Sequence, residues 1–434
     1  MNYEETVQYL YSQMPEYQRV GHTAYKEGLD NSLALDAHFD HPHRHYRTIH
    51  VAGTNGKGST THLLTAVLQE AGYKVGSYTS PHLIDFRERI RVNGEMIEKE
   101  FVVDFVKDHR EAFEPIMPSF FELSMEMAFL YFQTKEVDVA IIETGLGGRL
   151  DSTNIISPNL SIITNIGLDH TQYLGDTLPK IASEKAGIIK LNTPVVIGEI
   201  EDDEVRDIFL KKAKSVNAPI VFAEDVMDNF SSRITKDGWI LNNDSYPNLR
   251  NELGGWVQGK NARTVLTAIH ELIKLGYTIP KQAIYNGFAN VVTLTGLMGR
   301  WQTLQHNPKI ICDTGHNSHA IKHIVRQLDS EIFKTLHIVF GMVNDKDSSA
   351  ILSMLPKKAL YYFTQPSIER ALDVETLFEK AQEFGLHGYT YPNVELALQA
   401  AKENADEIDL IFIGGSSFIV ADALALMTNT QCNS

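Results

Sequence analysis

An apolar run, Ile49-His50-Val51-Ala52, enters a glycine-rich turn, Gly53-Thr54-Asn55-Gly56-Lys57-Gly58-Ser59-Thr60, and a helical pattern follows from His62-Leu63-Leu64. Strand, glycine turn and helix in that order point to an open α/β sheet with the turn at a strand's carboxyl end. The residue types are those of a phosphate cradle. Glycines let the backbone come close to an anion, the N–H groups and the helix N-terminus face it, and lysine adds a point charge. A hydroxyl just after the lysine reaches a Mg²⁺ ion. The spacing departs from the common phosphate loop, which has four residues between its glycines and its hydroxyl directly after the lysine. Here Thr54-Asn55 alone separates Gly53 from Gly56, and Gly58 follows Lys57. A glycine-rich strand-to-helix turn can also be only a turn. The strand before it, the helix after it and the lysine favour a nucleoside triphosphate, without naming a reaction.

At 434 residues the chain exceeds one ordinary core, so two domains are expected. Residues 1–46 read as a polar helical lead-in. Strand-like runs then recur at Thr48 to Ala52, Lys74 to Tyr78, Val137 to Ile142, Leu160 to Thr164, Pro194 to Ile197 and Pro219 to Phe222. Helical patterns separate them near Ser59 to Ala71, Glu122 to Gln133, Leu178 to Ile189 and Glu204 to Ser215. Such alternation predicts a parallel sheet covered on both faces. Asp237 to Asn251 reads as a meander of short strands, and Asn261 to Leu275 and Pro280 to Ala289 read as helices. Val292 to Gly299 has no clear period and marks the boundary. A second alternation follows, with strands at Ile310 to Asp313, Leu336 to Phe340, Ala359 to Phe363 and Leu410 to Gly414. Helices at Ser318 to Leu328, Ala350 to Leu355, Val374 to Phe384, Val394 to Asn404 and Phe418 to Met427 make this a smaller doubly wound unit.

Composition narrows the function classes. A formal net charge of −16 argues against a nucleic-acid groove and against an anionic membrane surface, and solubility alone accounts for it. Two cysteines, Cys312 and Cys432, form no framework and lack metal-type spacing, which fits a reducing cytoplasm. The N-terminus is acidic without a signal-peptide apolar core, and no apolar run approaches membrane-spanning length. The tail Asn433-Ser434 is expected to fray. The histidines His38, His41, His43 and His45 lack partner carboxylates at helical spacing and read as a solvated loop.

Several strand ends deliver polar residues to the edge where an open α/β sheet binds its ligands. The run Val137 to Ile142 ends in Glu143, followed by Thr144-Gly145-Leu146-Gly147-Gly148-Arg149-Leu150-Asp151, which places a glutamate well for Mg²⁺. The next run leads to Asn165-Ile166-Gly167-Leu168-Asp169-His170. Mg²⁺ prefers oxygen ligands, so chemistry alone favours a structural role for His170. Lys185 ends a helix. Its default is a solvated surface, yet its apolar neighbours indicate partial burial, which a lysine tolerates only with special chemistry. Asp313, at the end of Ile310-Ile311-Cys312, suits a ribose hydroxyl or a phosphate-side group. Arg300 suits a phosphate, with a surface ion pair as its plainer reading.

In this order the segments resemble the folylpolyglutamate synthase/dihydrofolate synthase family of the Mur ligase superfamily, over nearly the whole chain. The resemblance rests on Gly53 to Ser59, Tyr78-Thr79-Ser80-Pro81-His82-Leu83 with Arg87-Glu88-Arg89-Ile90, and Glu143 to Asp151. Leu168-Asp169-His170, Glu184 to Lys190, Asn261-Ala262, Gly299-Arg300 and Asp313-Thr314-Gly315-His316-Asn317 complete it. It implies an α/β protein with an N-terminal P-loop (Mur ligase-like) domain, 1–296, and a smaller C-terminal Rossmann-like glutamate ligase domain, 297–434, with ATP between them. It implies an ATP-dependent ligase that adds L-glutamate to dihydropteroate or a folate through an acyl phosphate. It further implies a cytoplasmic monomer whose partners are small molecules, with no nucleic acid and no membrane. Carried over residue by residue, Gly53, Thr54, Asn55, Gly56, Lys57, Gly58, Ser59 and Thr60 would cradle the triphosphate. Ser80, Glu143 and His170 would hold Mg²⁺. Lys185 matches a lysine that the family carbamylates, an anion able to bind a second Mg²⁺. Lys57, His170 and Lys185 would be the catalytic set. Asn261, Arg300, Asp313 and His316 would contact ATP, and Ser80, Pro81, His82, Arg89 and Asp151 would form the pterin-side pocket.

The chain departs from the family pattern at Met298-Gly299-Arg300, at Thr314-Gly315 and at Val257-Gln258. It also departs at Ser367-Ile368-Glu369-Arg370-Ala371, where an arginine expected near the incoming glutamate is missing. Three other readings compete: a cell-wall ligase of the Mur type, a P-loop ATPase coupled to movement, and a nucleotide-binding module without activity. Ser80-Pro81-His82 and Gly147-Gly148-Arg149 favour the folate branch. The acidic balance disfavours nucleic-acid remodelling, and the number of matching polar strand ends disfavours an inactive module.

Overall fold

The computed structural model describes residues 1–14, 28–227, 229–235, 238–344 and 348–432. The helical reading of residues 15–27, the start of the meander at Asp237 and the fraying of Asn433-Ser434 lie outside the described residues. The chain divides into two compact units, Met1–Glu252 with Val257–Leu297, and Leu253–Trp256 with Met298–Ser434.

The first unit is built on eight strands: β1 (Arg47–Ala52), β2 (Val75–Tyr78), β3 (Ile90–Val92), β4 (Glu95–Met96), β5 (Val139–Glu143), β6 (Leu160–Asn165), β7 (Val195–Glu199) and β8 (Ile220–Phe222). Their order is β4-β3-β2-β5-β1-β6-β7-β8. Strands β2, β5, β1, β6, β7 and β8 run parallel, and β3 and β4 add an antiparallel edge. Strands β5 and β6 are buried at every position, and β1 at every position but its first. This explains their near-continuous apolar runs, since a parallel sheet has helices on both faces. The helix Lys57–Glu70, which carries the glycine turn's lysine, packs on this sheet and beneath the helices Gln258–Lys274 and Lys281–Ala289. The approach is close: a Cβ at Gly287 would stand 2.7 Å from the Val67 backbone.

A small antiparallel sheet of β9 (Ser231–Thr235), β10 (Gly238–Asn242) and β11 (Leu249–Asn251) forms the expected meander, beginning earlier than the turn-rich sequence indicates. Among the described residues four α-helices escaped the sequence pattern, including the short turns Thr171–Leu174 and Ala223–Val226. Lys99–Phe113 is highly charged, and only Val102, Phe105, Val106 and Phe113 reach the core. Val291–Thr295 lies in the stretch read as aperiodic. It is a single short turn of helix, stopped by Gly296 in left-handed backbone at φ 66°.

The second unit holds six strands: β12 (Gln302–His306), β13 (Lys309–Cys312), β14 (Leu336–Phe340), β15 (Leu360–Phe363), β16 (His387–Thr390) and β17 (Leu410–Gly414). Their order is β12-β13-β17-β14-β15-β16, parallel except for β12. The strands that the pattern missed, β12 and β16, are the two edges. Their half-exposed, polar sequences carry no apolar run.

The histidine segment is only partly solvated: His38 and His45 are exposed, but His41 and His43 are not. Asp36, from the helix Asp30–His38, is buried between His41 and His43, and His43 is buried with it. The carboxylate comes from the preceding helix rather than from within the histidine run, so spacing alone hid it. Among the described residues no helix is long and apolar enough to cross a membrane.

Candidate active site

The sheet order fixes where the polar strand ends meet. Strands β2, β5, β1 and β6 are consecutive neighbours, and the register pairs Tyr78 with Ile142, Val51 with Glu143, and Ala52 with Ile163. Ser80, Glu143, the Gly53 turn and the segment leading to His170 therefore all leave one edge of one sheet, at the carboxyl ends of parallel strands.

The turn itself is shaped by β6. Thr54 N–H donates to the Asn165 carbonyl, Asn55 N–H to Asn165 Oδ1 at 2.9 Å, and the Thr164 hydroxyl to the Asn55 carbonyl at 2.6 Å. A Cβ at Gly53 would collide with the Thr164 hydroxyl, so glycine is required there by contact. Gly56 has φ 83°, and a Cβ there would strike the Asn261 carboxamide. Asn261 is thus brought against the turn, held by its own bond to Gln258 Oε1 at 3.0 Å, while Gln258 Nε2 donates to the Ser59 hydroxyl at 3.2 Å. Ser59 and Thr60 are buried in the first turn of the helix Lys57–Glu70. Thr164, Asn165 and Gln258 were not singled out from sequence. The signal for the first two was their place at a strand end beside the turn.

Two lysines converge on one carbonyl. Lys57 Nζ donates to the Gly53 and Thr54 carbonyls at 3.1 and 3.4 Å, and Lys185 Nζ donates to the Gly53 carbonyl at 2.9 Å. Lys185 is 3% exposed, so the plain surface reading fails. Burial first, and repulsion from Lys57 second, bring its ammonium down to about 7, with Asp169 and Asp151 opposing. The helix Leu178–Lys185 holds it there. Gly148 and Gly187 allow this helix end to press on the 145–151 loop, where Arg149 N–H donates to the Glu184 carbonyl.

Glu143 is buried at the end of β5, and His170 takes left-handed backbone before a short helical turn, with Asp169 beside it. Asp151 is buried, and its carboxylate is engaged by Leu146 N–H, Thr153 N–H and the Thr153 hydroxyl. Thr153 also bonds the buried His50 of β1 at 2.8 Å. Burial, aided by Lys190, lowers His50 to about 3, so it is neutral and donates. Asp151 therefore ties the glycine-rich loop to the sheet.

The 80–89 segment is rigid. Glu88 accepts the N–H groups of Leu83, Ile84 and Asp85, each at 2.8 Å. Arg89 Nε donates to His82 Nδ1 at 2.8 Å, and Tyr11 from the first helix meets His82 Nε2 at 3.0 Å. Desolvation and the Arg89 charge hold His82 neutral, well below its ordinary value. Tyr3 donates to Asp85 at 2.6 Å. The N-terminal helix Tyr3–Gln13 is thus an anchor for this segment, which sequence reasoning missed because polar helix faces carry no motif.

In the second unit Arg300, Asp313 and His316 are brought together. Arg300 bonds the Thr314 hydroxyl and the Gly299 carbonyl, Asp313 accepts Trp301 N–H and Gly315 N–H at 2.8 Å each, and His316 Nδ1 donates to the Thr314 carbonyl at 3.0 Å.

Known proteins resemble this chain in sequence and fold. Residues 51–236 match the Mur ligase middle domain, and residues 299–417 match the Mur ligase glutamate ligase domain. A Bacillus subtilis protein named dihydrofolate synthase/folylpolyglutamate synthase is 33% identical over 411 residues, covering 92% of this chain and 94% of that protein. A Haloferax volcanii protein named probable bifunctional folylpolyglutamate synthase/dihydropteroate synthase is 31% identical over 99% of this chain, which spans only 51% of that longer protein. The solved structure of E. coli FolC in complex with DHPP and ADP superposes with a TM-score of 0.86 at 28% identity, covering 99% of each chain. A bifunctional folylpolyglutamate synthase/dihydrofolate synthase with Mn, AMPPNP and L-glutamate bound superposes with a TM-score of 0.81 at 29% identity, covering 99% of this chain and 98% of that one.

The lowered Lys185 pKa makes stability depend on pH. Between about pH 7 and the ordinary lysine value, the unfolded chain holds a proton that the folded chain has released, so stability rises with pH through that window. In CO₂-free buffer, denaturant unfolding is expected to show the chain gaining roughly 2 kcal/mol from pH 7 to 9 relative to Lys185→Met. Parallel profiles for the two proteins would contradict the buried, uncharged amine.

Proposed function

The chain belongs to the dihydrofolate synthase/folylpolyglutamate synthase family of ATP-dependent glutamate ligases, and we propose that it serves both reactions, joining L-glutamate to dihydropteroate and to reduced folates. The reading is carried by one observation above others: two lysines, one of them buried, meet at the carbonyl of a glycine turn at the edge of a parallel sheet, beside Glu143. The segment Leu146 to Asp151 resembles that of members performing both reactions. The Bacillus subtilis and Escherichia coli relatives, covered to 94% and 86% of their length, carry both names, whereas the Lacticaseibacillus casei relative, covered to 87%, is named folylpolyglutamate synthase alone. Sparse cysteines support a cytoplasmic setting and the acidic balance supports small-molecule substrates, while a monomer is what the family resemblance implies.

A free carboxylate is a poor electrophile and must be activated. Its oxygen attacks the γ-phosphorus of ATP, ADP leaves, and an acyl phosphate forms. The glutamate amine then attacks the acyl carbon, a tetrahedral intermediate collapses, phosphate departs with the C–O electron pair, and the amine proton is released. Catalysis of this kind is positioning and charge neutralisation. The N–H groups from Gly53 to Thr60 take up phosphate oxygens. Lys57 exchanges its bonds to the Gly53 and Thr54 carbonyls for the terminal phosphates. Asn261 flanks the nucleotide from the turn's side, and a nucleotide role for Arg300, Asp313 and His316 rests on the family resemblance. Ser80, Pro81, His82 and Arg89 face the pterin end, and Asp151 shapes the loop beside them.

A hydroxyl, a carboxylate and an imidazole, from Ser80, Glu143 and His170, make a sparse donor set suited to a divalent cation that keeps several waters. When bound there, Mg²⁺ supplies positive charge against the phosphates. Lys185 suits carbamylation because a buried amine lowered to about 7 is largely neutral, and so nucleophilic toward CO₂, at physiological pH. The carbamate would replace a largely neutral amine with an anion able to help hold a second Mg²⁺.

ADP release is expected to require both an acid, dihydropteroate or tetrahydrofolate, and glutamate. It is expected to fall to background in Lys57→Ala and Glu143→Ala with the fold intact by circular dichroism. Release that ignores either substrate would sink the ligase reading, and turnover with only one acid would restrict it to one reaction. Lys185→Ala is expected to be inactive and to recover with added acetate. Full activity without any additive would remove the carbamate.

A further inference from the structure

Before β1 the chain turns sharply. After the helix Asp30–His38, Asp40 and His41 both take left-handed backbone, at φ 58° and 56°, and His41 N–H returns to the Asp36 carbonyl at 2.8 Å. The turn sets two imidazoles on one carboxylate. His41 Nδ1 lies 2.6 Å from Asp36 Oδ2, and His43 Nε2 lies 3.3 Å from Asp36 Oδ1, in ion-pair reach without an aligned hydrogen bond. One ligand atom from each residue lies within 4.8 Å of the others, the only such group of three among the described residues. Asp36 and His43 are buried, while the His41 side chain is 34% exposed, which leaves an ion a way in.

A second observation comes from the opposite helix, Phe120–Thr134, which packs on this turn and puts the Phe129 ring 5.7 Å from that of His43. Three residues earlier, on the same helix face, Glu126 is fully buried. Neither of its carboxylate oxygens has a hydrogen-bond partner among the described residues, and burial first, with the Asp36 charge second, raises it well above the ordinary carboxylate range. A buried carboxylate without partners is unfavourable.

We propose that Asp36, His41 and His43 bind one divalent transition-metal ion of the zinc type, with a water in the fourth position. Two imidazole nitrogens and one carboxylate oxygen favour such an ion over Mg²⁺. Tetrahedral bonds of about 2.0–2.1 Å put ligand atoms about 3.3 Å apart, the scale of the His43–Asp36 separation. The site lies before β1 begins, whereas the glycine turn follows its end. It would clamp the entry turn to the sheet and does not depend on the ligase reaction.

The test is titration of metal-free, full-length protein with Co²⁺ in excess Mg²⁺, followed by absorption, with thermal unfolding in Zn²⁺ alongside. One equivalent is expected to give the visible bands of four-coordinate Co²⁺, to be displaced by Zn²⁺, and to bind at least about tenfold more weakly in His43→Gln and in His41→Asn. Asparagine tolerates left-handed backbone, so His41→Asn retains the turn should His43→Gln fail to fold. Zn²⁺ is expected to raise the unfolding temperature of the unmodified chain more than that of either variant. No four-coordinate band in the unmodified chain, or the same band and affinity in the folded variants, would show an ion-paired turn and overturn the proposal.

Discussion

The Gly53 carbonyl accepts hydrogen bonds from the side-chain nitrogens of both Lys57 and Lys185, and much of the first unit is arranged around that meeting. Burying the Lys185 ammonium carries the larger penalty, and its repulsion from Lys57 at the same oxygen adds to it. The response visible in the structure is a lowered Lys185, with Asp169 and Asp151 acting in the opposite sense. The geometry demands a turn whose backbone is open on one side and braced on the other. Thr164 and Asn165 brace it through the Thr54 and Asn55 backbone, and Asn261 closes against Gly56. Side chains on Gly53 or Gly56 would destroy the brace before they touched any nucleotide.

The 80–89 and 145–153 segments are built by a different principle. Rather than glycine, they use carboxylates as internal caps. Glu88 gathers three N–H groups of the 83–85 turn, and Asp151 gathers the 146 and 153 N–H groups. Loops held in this way keep their shape without a ligand, which is what positioning of a reacting carboxylate requires. His82, fixed between Tyr11 and Arg89, is part of the same design, with its neutral ring set by the donor on one side.

What sequence made legible follows from these differences. Buried parallel strands announced themselves as apolar runs. The residues at their ends could be named because a parallel strand delivers whatever follows it to the ligand-binding edge of the sheet. The edge strands Gln302–His306 and His387–Thr390 gave no signal, being polar and half-exposed. The helix Lys99–Phe113 was hidden by its charged face. The role of His170 could not be weighed from its residue type, and Lys185 was ambiguous until its burial was known. Asp36 was invisible as a histidine partner because its helix and the turn must both form before the groups meet.

The turn around Gly53 is held to grip a nucleotide whose terminal phosphoryl group passes to the carboxylate of the acid substrate. The most direct measurement uses dihydropteroate bearing ¹⁸O in that carboxylate, with ATP and glutamate, and mass analysis of the inorganic phosphate formed. The account predicts one ¹⁸O atom carried into each phosphate released in step with amide formation. Phosphate free of the label, with amide still produced, would contradict it.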